Sequence, residues 1–297
     1  MNILKFAAID IGSNAIRLII YYVIEDSKGV IFNKNESYRV PIRLGHESFD
    51  HQHISHVTIL KLVDAMTAFE KLMKVHEVIS YRACATSAMR DARNNQEIVK
   101  EVREKSGIKI DIISGQEEAD YIYETHLFQL LAHEKPFLYV DVGGGSTELT
   151  LYHRNVPEAS TSFKIGTIRL LQDKVSEATW DEMKRWVKEK CKDKKKLEII
   201  GSGGNINQLS KFAGTRKKSE LTFEVMKDIY QDIKKLTYEE RISEMAMKPD
   251  RADVIVPAAE IFLNVMRWSD AEVINVPKTG MGDGIIRKLY EEYKNSY

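Results

Sequence analysis

The sequence predicts an α/β protein built from two similar domains, and three observations carry that prediction. Apolar strands alternate with amphipathic stretches long enough to serve as crossover helices. A segment near the N-terminus recurs: Ala8-Ile-Asp10-Ile-Gly12-Ser-Asn-Ala-Ile-Arg17-Leu18 lies on Tyr139-Val-Asp141-Val-Gly143-Gly-Gly-Ser-Thr-Glu148-Leu149 at a constant offset of 131 residues. Each copy reads as an apolar strand ending in Asp-x-Gly, a small polar turn and a second strand, so each opens a domain with the same hairpin. Finally, 297 residues with 43% hydrophobic content suffice for two cores of ordinary size.

Taken in order, Leu4–Asp10, Ala15–Ile24 and Val30–Val40 read as antiparallel strands. A helix follows over Ser55–Val75, with Val57, Leu60, Val63, Met66 and Leu72 near a 3.6-residue period. Next come a strand at Val78–Ala85, a helix at Asn95–Lys105, a strand at Lys109–Ser114 and a helix at Gln116–His133. The second group opens with strands Phe137–Val142 and Glu148–His153, then a third over Ala159–Phe163. Helices dominate the remainder, broken by strands at Leu197–Gly201 and Glu272–Val276. Two similar domains place a cleft between their matching turns, where ligands commonly bind.

Composition narrows the function. The 44 basic and 44 acidic residues cancel, so neither nucleic acid nor a membrane surface is expected as a partner. Asp181–Lys235 is locally basic, with 15 cations against 9 anions. It reads first as a solvated helix face and second as a flank attracting a polyanion. Cys84 and Cys191 form no CxxC motif, which excludes a disulfide framework and a cysteine zinc knuckle and fits a reducing compartment. Ile3–Ile11 is too short for a secretory signal and runs into Asp10, and no apolar run nears the ~18 residues of a membrane span. A cytoplasmic location is expected.

The two repeated turns carry the chemistry. Glycine lets backbone approach a ligand closely, and turn N–H groups converging on one concavity suit phosphate oxygens. Asp10 and Asp141 end their strands, where they can hold a hard cation such as Mg²⁺ directly or through water. A third loop, Ile200-Gly201-Ser202-Gly203-Gly204-Asn205, opens a helix and exposes N-terminal N–H groups to anions. A fourth, Gly280-Met281-Gly282-Asp283-Gly284, is equally readable as a plain helix start. Neither matches a dinucleotide-binding or Walker pattern. Glu117 and Glu118 sit in the first turn of a helix about 100° apart, so at most one faces a ligand as general base, and periodicity does not choose between them. Arg90 and Arg93 suit bidentate phosphate contacts or a charged surface equally. His46, His51, His53 and His56 read as a polar loop.

Together these segments resemble the exopolyphosphatase / guanosine pentaphosphate phosphohydrolase family, within the actin-like ATPase and sugar kinase superfamily. The resemblance spans nearly the whole chain. It rests on AAIDIGSNAIRL from Ala7, RLG from Arg43, ATSAMRDARN from Ala85, ISGQEEA from Ile113, VDVGGGSTEL from Val140, IGTIRL from Ile165 and IGSGGNI from Ile200. It implies two ribonuclease-H-like domains with the active site in the cleft between them. The first would cover residues 1–124 with a C-terminal helix of about 283–297 returning to it, and the second 125–282. The implied activity is removal of the terminal phosphate of polyphosphate or pppGpp with Mg²⁺, or Mn²⁺ in its place. Matched by position, Glu118 falls on the glutamate that activates water, while Asp141 and Glu148 fall on the metal-associated acids; Asp10 stays a candidate cation ligand from its strand-end position. Ser13 and Asn14, and Gly143, Gly144, Gly145, Ser146 and Thr147, become phosphate-cradling loops, joined by Gly203 and Gly204. Arg17 and Arg90 take positions associated with phosphate or guanosine-polyphosphate contacts.

Two departures bear on substrate. Longer members carry a further helical C-terminal domain that this sequence does not contain, which sets an expectation of shorter polyphosphate chains and lower processivity. Ala15 stands where many relatives have serine. The leading expectation is a Mg²⁺-dependent exopolyphosphatase. The alternatives are a pppGpp 5′-phosphohydrolase and a catalytically weak polyphosphate or alarmone sensor. A kinase of the same superfamily is disfavoured by Glu118 in a first-domain helix. Twofold assembly is the commonest oligomeric arrangement, so a homodimer is carried as an expectation.

Overall fold

A computed structural model describes residues 1–125, 135–154, 156–214, 220–277 and 279–296. The chain forms two compact units, Met1–His126 with Gly280–Tyr297, and Leu127–Thr279. In the first, β1 (Asn2–Ile11), β2 (Ile16–Asp26), β3 (Gly29–Val40), β4 (Ser80–Ala85) and β5 (Ile110–Ile112) form one sheet in the order β3-β2-β1-β4-β5. The second contains β6 (Phe137–Val142), β7 (Thr147–His153), β8 (Val156–Phe163), β9 (Glu198–Ser202), β10 (Glu220–Thr222) and β11 (Val273–Asn275), ordered β10-β11-β9-β6-β7-β8. Each sheet therefore carries three antiparallel strands followed by parallel ones, the ribonuclease-H-like arrangement. The short edge strand β10 is an addition to the second.

The sequence repeat survives into atomic detail. Asp10 pairs with Arg17 and Ile11 with Ile16 across β1 and β2, while Asp141 pairs with Glu148 and Val142 with Thr147 across β6 and β7. The turns close identically: Gly12 N–H donates to Ala15 O at 3.2 Å, and Gly143 N–H donates to Ser146 O at 2.9 Å. Even the bulges correspond, between Ile20 and Tyr21 in one sheet and between Leu151 and Tyr152 in the other. Each of these pairs keeps the 131-residue offset, so the two hairpins are one backbone design used twice.

The centre of strand β1, Phe6–Ile9, is apolar without interruption because it is covered on both faces, and Phe6, Ala7, Ala8 and Ile9 have 0% exposure. One cover is the C-terminal helix Met281–Asn295, whose Tyr290 and Tyr293 pack edge-on against Phe6. A Cβ on Gly282 would stand 2.7 Å from Ile19 Cδ1, and one on Gly284 would stand 1.6 Å from the Tyr121 carbonyl oxygen. Asp283 caps the helix at Gly280 N–H and takes Lys34 and the Tyr21 hydroxyl as partners. The fourth glycine loop is thus a packing device that seats this helix.

Two further readings change. Residues expected as a polar loop form a helix, Leu44–His51, which buries Leu44 and Phe49 and ends at Gln52 with φ 53°. All four histidines of that region are exposed. The helix at 116–133 is described as Gly115–Tyr123, and residues 126–133 lie outside the described residues. In the second unit, helix Glu177–Cys191 buries Met183, Val187 and Cys191 and leaves Lys184, Arg185 and Lys188 in solvent. Lys194, Lys195 and Lys196 precede β9 and so sit at the opposite end of that strand from Ser202 and Gly203. Among the described residues, no helix is long and apolar enough to cross a membrane.

Candidate active site

The loop Gly143–Thr147 is shaped by what lies beneath it. Gly143 O accepts from Thr167 N–H at 3.0 Å, and Gly144 O accepts from Ile168 N–H at 2.8 Å and Arg169 N–H at 3.3 Å. Gly145 O accepts from Arg169 Nε at 2.7 Å. A trans peptide points its C=O and the following N–H in opposite directions. With three successive carbonyls engaged by residues 167–169, the N–H groups of Gly144, Gly145 and Ser146 are aimed the other way. Such a run of N–H groups has the chemistry to take an anion. Gly166 makes the contact possible, since a Cβ there would stand 2.4 Å from Gly144 O. Thr147 is fully buried and donates to Ile165 O at 2.7 Å, so it braces the loop from below.

Asp141 and Glu148 face each other as directly opposed partners at the end of this hairpin. Glu148 is 3% exposed, and its Oε1 accepts from Ser146 Oγ at 2.6 Å and Ser162 Oγ at 2.9 Å. Gly203, with φ 102°, occupies a conformation that side chains avoid, and a Cβ there would stand 3.0 Å from Asp141 Oδ1. Gly204 begins helix Gly204–Phe212, and the Arg251 guanidinium lies against it and donates to its carbonyl. A Cβ on Gly204 would stand 2.6 Å from Arg251 Nη2. The expected residues of the second unit thus gather where β6 and β9 end, the usual ligand edge of an α/β sheet.

In the first unit the corresponding loops also leave the carboxyl ends of parallel strands. Thr86 N–H donates to Ile11 O at 3.2 Å and Ile113 N–H to Ala85 O at 3.0 Å, which aligns the ends of β1, β4 and β5. Ser13 is buried, with its Oγ 3.0 Å from Ser87 Oγ and its carbonyl accepting from Gly45 N–H at 2.8 Å. Asn14 occupies the turn half-buried. Burial pushes the Asp10 carboxyl above its ordinary range, and the positive charge of Arg17 pulls the other way.

The structure separates the two adjacent glutamates. Glu117 closes a capping box with Ser114: its Oε2 accepts from Ser114 N–H at 2.7 Å, and its own N–H donates to Ser114 Oγ at 3.2 Å. That backbone hydrogen bond holds its carboxyl below the usual range. Glu118 turns inward, 13% exposed, with its Oε2 3.6 Å from Arg90 Nη1. Arg90 is fixed by donation to Ile113 O at 2.6 Å. Both cysteines are buried, and burial pushes each thiol up to about 12, so neither is a nucleophile at neutral pH.

Gly166, Arg169 and Arg251 carry site geometry that sequence reasoning assigned to no residue. IGTIRL was visible as a segment, yet the reason for its glycine and arginine lies in a loop about twenty residues earlier in the chain.

The profile of the Ppx/GppA phosphatase family matches residues 23–292. A bifunctional 3-dehydroquinate synthase/phosphatase of Fusobacterium nucleatum is 28% identical over 97% of this chain, which spans 46% of that protein's length. Exopolyphosphatase 2 of Mycobacterium tuberculosis is 26% identical over 97% of this chain and 99% of its own length. Among solved structures, an exopolyphosphatase from Cytophaga hutchinsonii aligns with a TM-score of 0.84 at 21% identity, covering 97% of this chain and 98% of that one. The Aquifex aeolicus member of the Ppx/GppA family aligns with a TM-score of 0.77 at 24% identity over the whole of both chains. The structural likenesses show a shared fold.

Proposed function

The chain belongs to the Ppx/GppA phosphatase family, and from that premise we propose that it is an exopolyphosphatase, hydrolysing the terminal phosphoanhydride of inorganic polyphosphate. The observation that carries this reading is the Gly143–Thr147 loop, whose carbonyls are held from beneath so that successive N–H groups are presented together. Such an arrangement recognises phosphate oxygens by charge and spacing and makes no demand on a base or sugar.

Phosphoryl transfer asks the protein mainly to align water with phosphorus and to neutralise charge on the oxygens. The N–H groups of Gly144, Gly145 and Ser146 take the oxygens of the terminal phosphate. Glu118 takes the proton of the attacking water, and Arg90, 3.6 Å away, holds that carboxylate in place. The shortened polyphosphate leaves as a stable anion and needs no dedicated acid. Glu118 suits the role better than Glu117, whose carboxylate is engaged at the helix cap.

A hard divalent cation fits the residues present. Asp141 and Glu148 supply an all-oxygen pair, and Gly203 leaves room beside Asp141 that a side chain would fill. Among the described residues no three His, Cys, Asp or Glu side chains converge as a ligand cage. Mg²⁺ accords with that, since it is commonly held by one or two carboxylates together with substrate phosphates, and Mn²⁺ suits the same oxygen donors. When bound, the cation would neutralise charge on the phosphate oxygens.

The test is phosphate release with Mg²⁺ from tripolyphosphate, long-chain polyphosphate and pppGpp in parallel. Release from the two polyphosphates is expected. Faster release from pppGpp would transfer the same chemistry to a guanosine substrate. Silence on all three alongside tight tripolyphosphate binding would overturn the reading in favour of a sensor.

A further inference from the structure

Glu118 lies between two anchors on one short helix. Ahead of it, the Ser114 capping box pins the start of Gly115–Tyr123 just after β5. One turn after it, Tyr121 carries the second anchor. Arg82 and Cys84 alternate along β4 and so stand on one face of the sheet, where both reach the Tyr121 hydroxyl. Arg82 Nη1 donates to that hydroxyl at 3.1 Å, and the buried Cys84 side chain hydrogen-bonds it as well. The C-terminal helix Met281–Asn295 grips the rest of Tyr121. Gly284 lies against the Tyr121 carbonyl, and Lys288 Nζ stands 5.3 Å from the centre of its ring. Glu292 accepts from Arg82 Nη2 at 3.1 and 3.0 Å through its two oxygens. Positions 284, 288 and 292 follow at four-residue spacing, so they form one stripe on that helix. A helix face thus converges on a tyrosine that has no part in the phosphate grip or the proton transfer.

We propose that Tyr121 is a positioning residue for Glu118: Arg82 and the stripe on the C-terminal helix hold Tyr121, and through it they aim the general base. This rests on the phosphoanhydride-hydrolase reading above and deepens it. A helix of nine residues tethered only at its N-cap is free to roll and tilt about that point. Residues three apart are neighbours on a helix surface, separated by about 4.5 Å along the axis. Fixing Tyr121 therefore fixes the roll that points Glu118 toward Arg90. The planar fork of Arg82 gives one nitrogen to Tyr121 and the other to Glu292, so the C-terminal helix and the helix bearing Glu118 are locked through one rigid group. The accuracy matters because a misplacement of about 1 Å in a positioning group costs about a hundredfold in rate.

The experiment measures kcat and KM for tripolyphosphate in Mg²⁺, with the calorimetric Kd of the same compound. It compares the intact chain with Tyr121→Phe, Glu292→Ala and Glu291→Ala, and Glu118→Gln with the Glu118→Gln/Tyr121→Phe double variant. Tyr121→Phe removes one oxygen and keeps the ring beside Lys288. It is expected to lower kcat about tenfold to a hundredfold, with KM and Kd close to those of the intact chain. Glu292→Ala should lower kcat in the same selective way by a smaller factor. Glu291→Ala removes the same charge from the adjacent exposed position and should match the intact chain. In Glu118→Gln, Tyr121→Phe should cost nothing further, because it acts through a carboxylate already gone. A general loosening of the first unit would instead cost the same in both backgrounds, and that result overturns the proposal. So does an unchanged kcat in folded Tyr121→Phe, or a rise in Kd equal to its loss of rate. Should Tyr121→Phe fail to fold, Glu292→Ala beside Glu291→Ala decides by the same readouts in both backgrounds. If the intact chain releases phosphate from none of tripolyphosphate, long-chain polyphosphate and pppGpp, the functional reading itself fails. An active chain whose kcat survives Tyr121→Phe removes only the role given to Tyr121.

Discussion

Replacing Gly166 with alanine tests whether the phosphate loop is shaped from beneath. Gly166 has φ −142° and ψ 161°, extended backbone open to any residue, so a penalty at this position is purely steric. The added Cβ would stand 2.4 Å from both Gly144 O and Gly145 C, where ordinary contact begins near 3.4 Å. The loop and the 166–169 segment must therefore part by about 1 Å, and both sides of the clash are backbone. Three bonds depend on that contact: Thr167 N–H to Gly143 O, Ile168 N–H to Gly144 O, and Arg169 Nε to Gly145 O. Each contributes about 1 kcal/mol, and overpacking adds about 1–3, so a loss of about 4–6 kcal/mol is expected if all three break. Trp180, Trp186 and Trp268 all lie in the second unit, so urea unfolding followed by tryptophan fluorescence reports on that unit alone. Turnover should fall about a hundredfold, the effect of a 1 Å misplacement of a positioning group. Gly143→Ala, where the Cβ would meet Ser146 O at 3.2 Å, should do less on both counts. A Gly166→Ala protein with the original urea midpoint and turnover would show that the loop does not depend on the contact from beneath.

Gly284→Ala should unseat the C-terminal helix, because the new Cβ would stand 1.6 Å from Tyr121 O. Calorimetry should show the first unit melting lower by several degrees, with turnover lost because Tyr121 and Glu118 share one helix. An unchanged melting profile would contradict that packing. Glu47 predicts acid sensitivity. Burial would raise its carboxyl, but hydrogen bonds from Ser55 N–H, Thr58 Oγ1 and Ser55 Oγ outweigh it and hold the group below its ordinary range. A carboxyl depressed in the folded state stabilises above the unfolded value, near 4.3, and loses that contribution as pH falls through the folded one. Tm should therefore drop more steeply below about pH 4 in the intact chain than in Glu47→Gln. Parallel Tm curves for the two would show that the group does not act this way.

Much of the fold was legible because it is written locally. The Asp-x-Gly hairpins announce themselves twice at one spacing, and strand centres buried on both faces, such as those of β1 and β6, read as continuous apolar runs. Leu44–His51 was missed because Gly45 and two histidines mask the Leu44 and Phe49 contacts that hold it. Strand β10 is three residues long and exists through its pairing with β11, which no local pattern encodes. The site was legible as residue types and loops. Periodicity left Glu117 and Glu118 open and the family resemblance pointed to Glu118; the physical difference between them is the capping box that engages Glu117, and the reason for Gly166 needed the distant carbonyl that its missing side chain accommodates.

In the proposed mechanism Glu118 activates water and does not grip the phosphate. The most direct test is Glu118→Gln, with phosphate release from tripolyphosphate in Mg²⁺ measured beside calorimetric binding of the same compound. Arg90 keeps its 2.6 Å bond to Ile113 O whichever group occupies position 118, so the fold and phosphate binding should persist. A fall in kcat of about 10²–10⁴, the contribution of a general base, is expected with the Kd essentially unchanged. Wild-type turnover in that variant would contradict it, and so would loss of binding equal to the loss of rate.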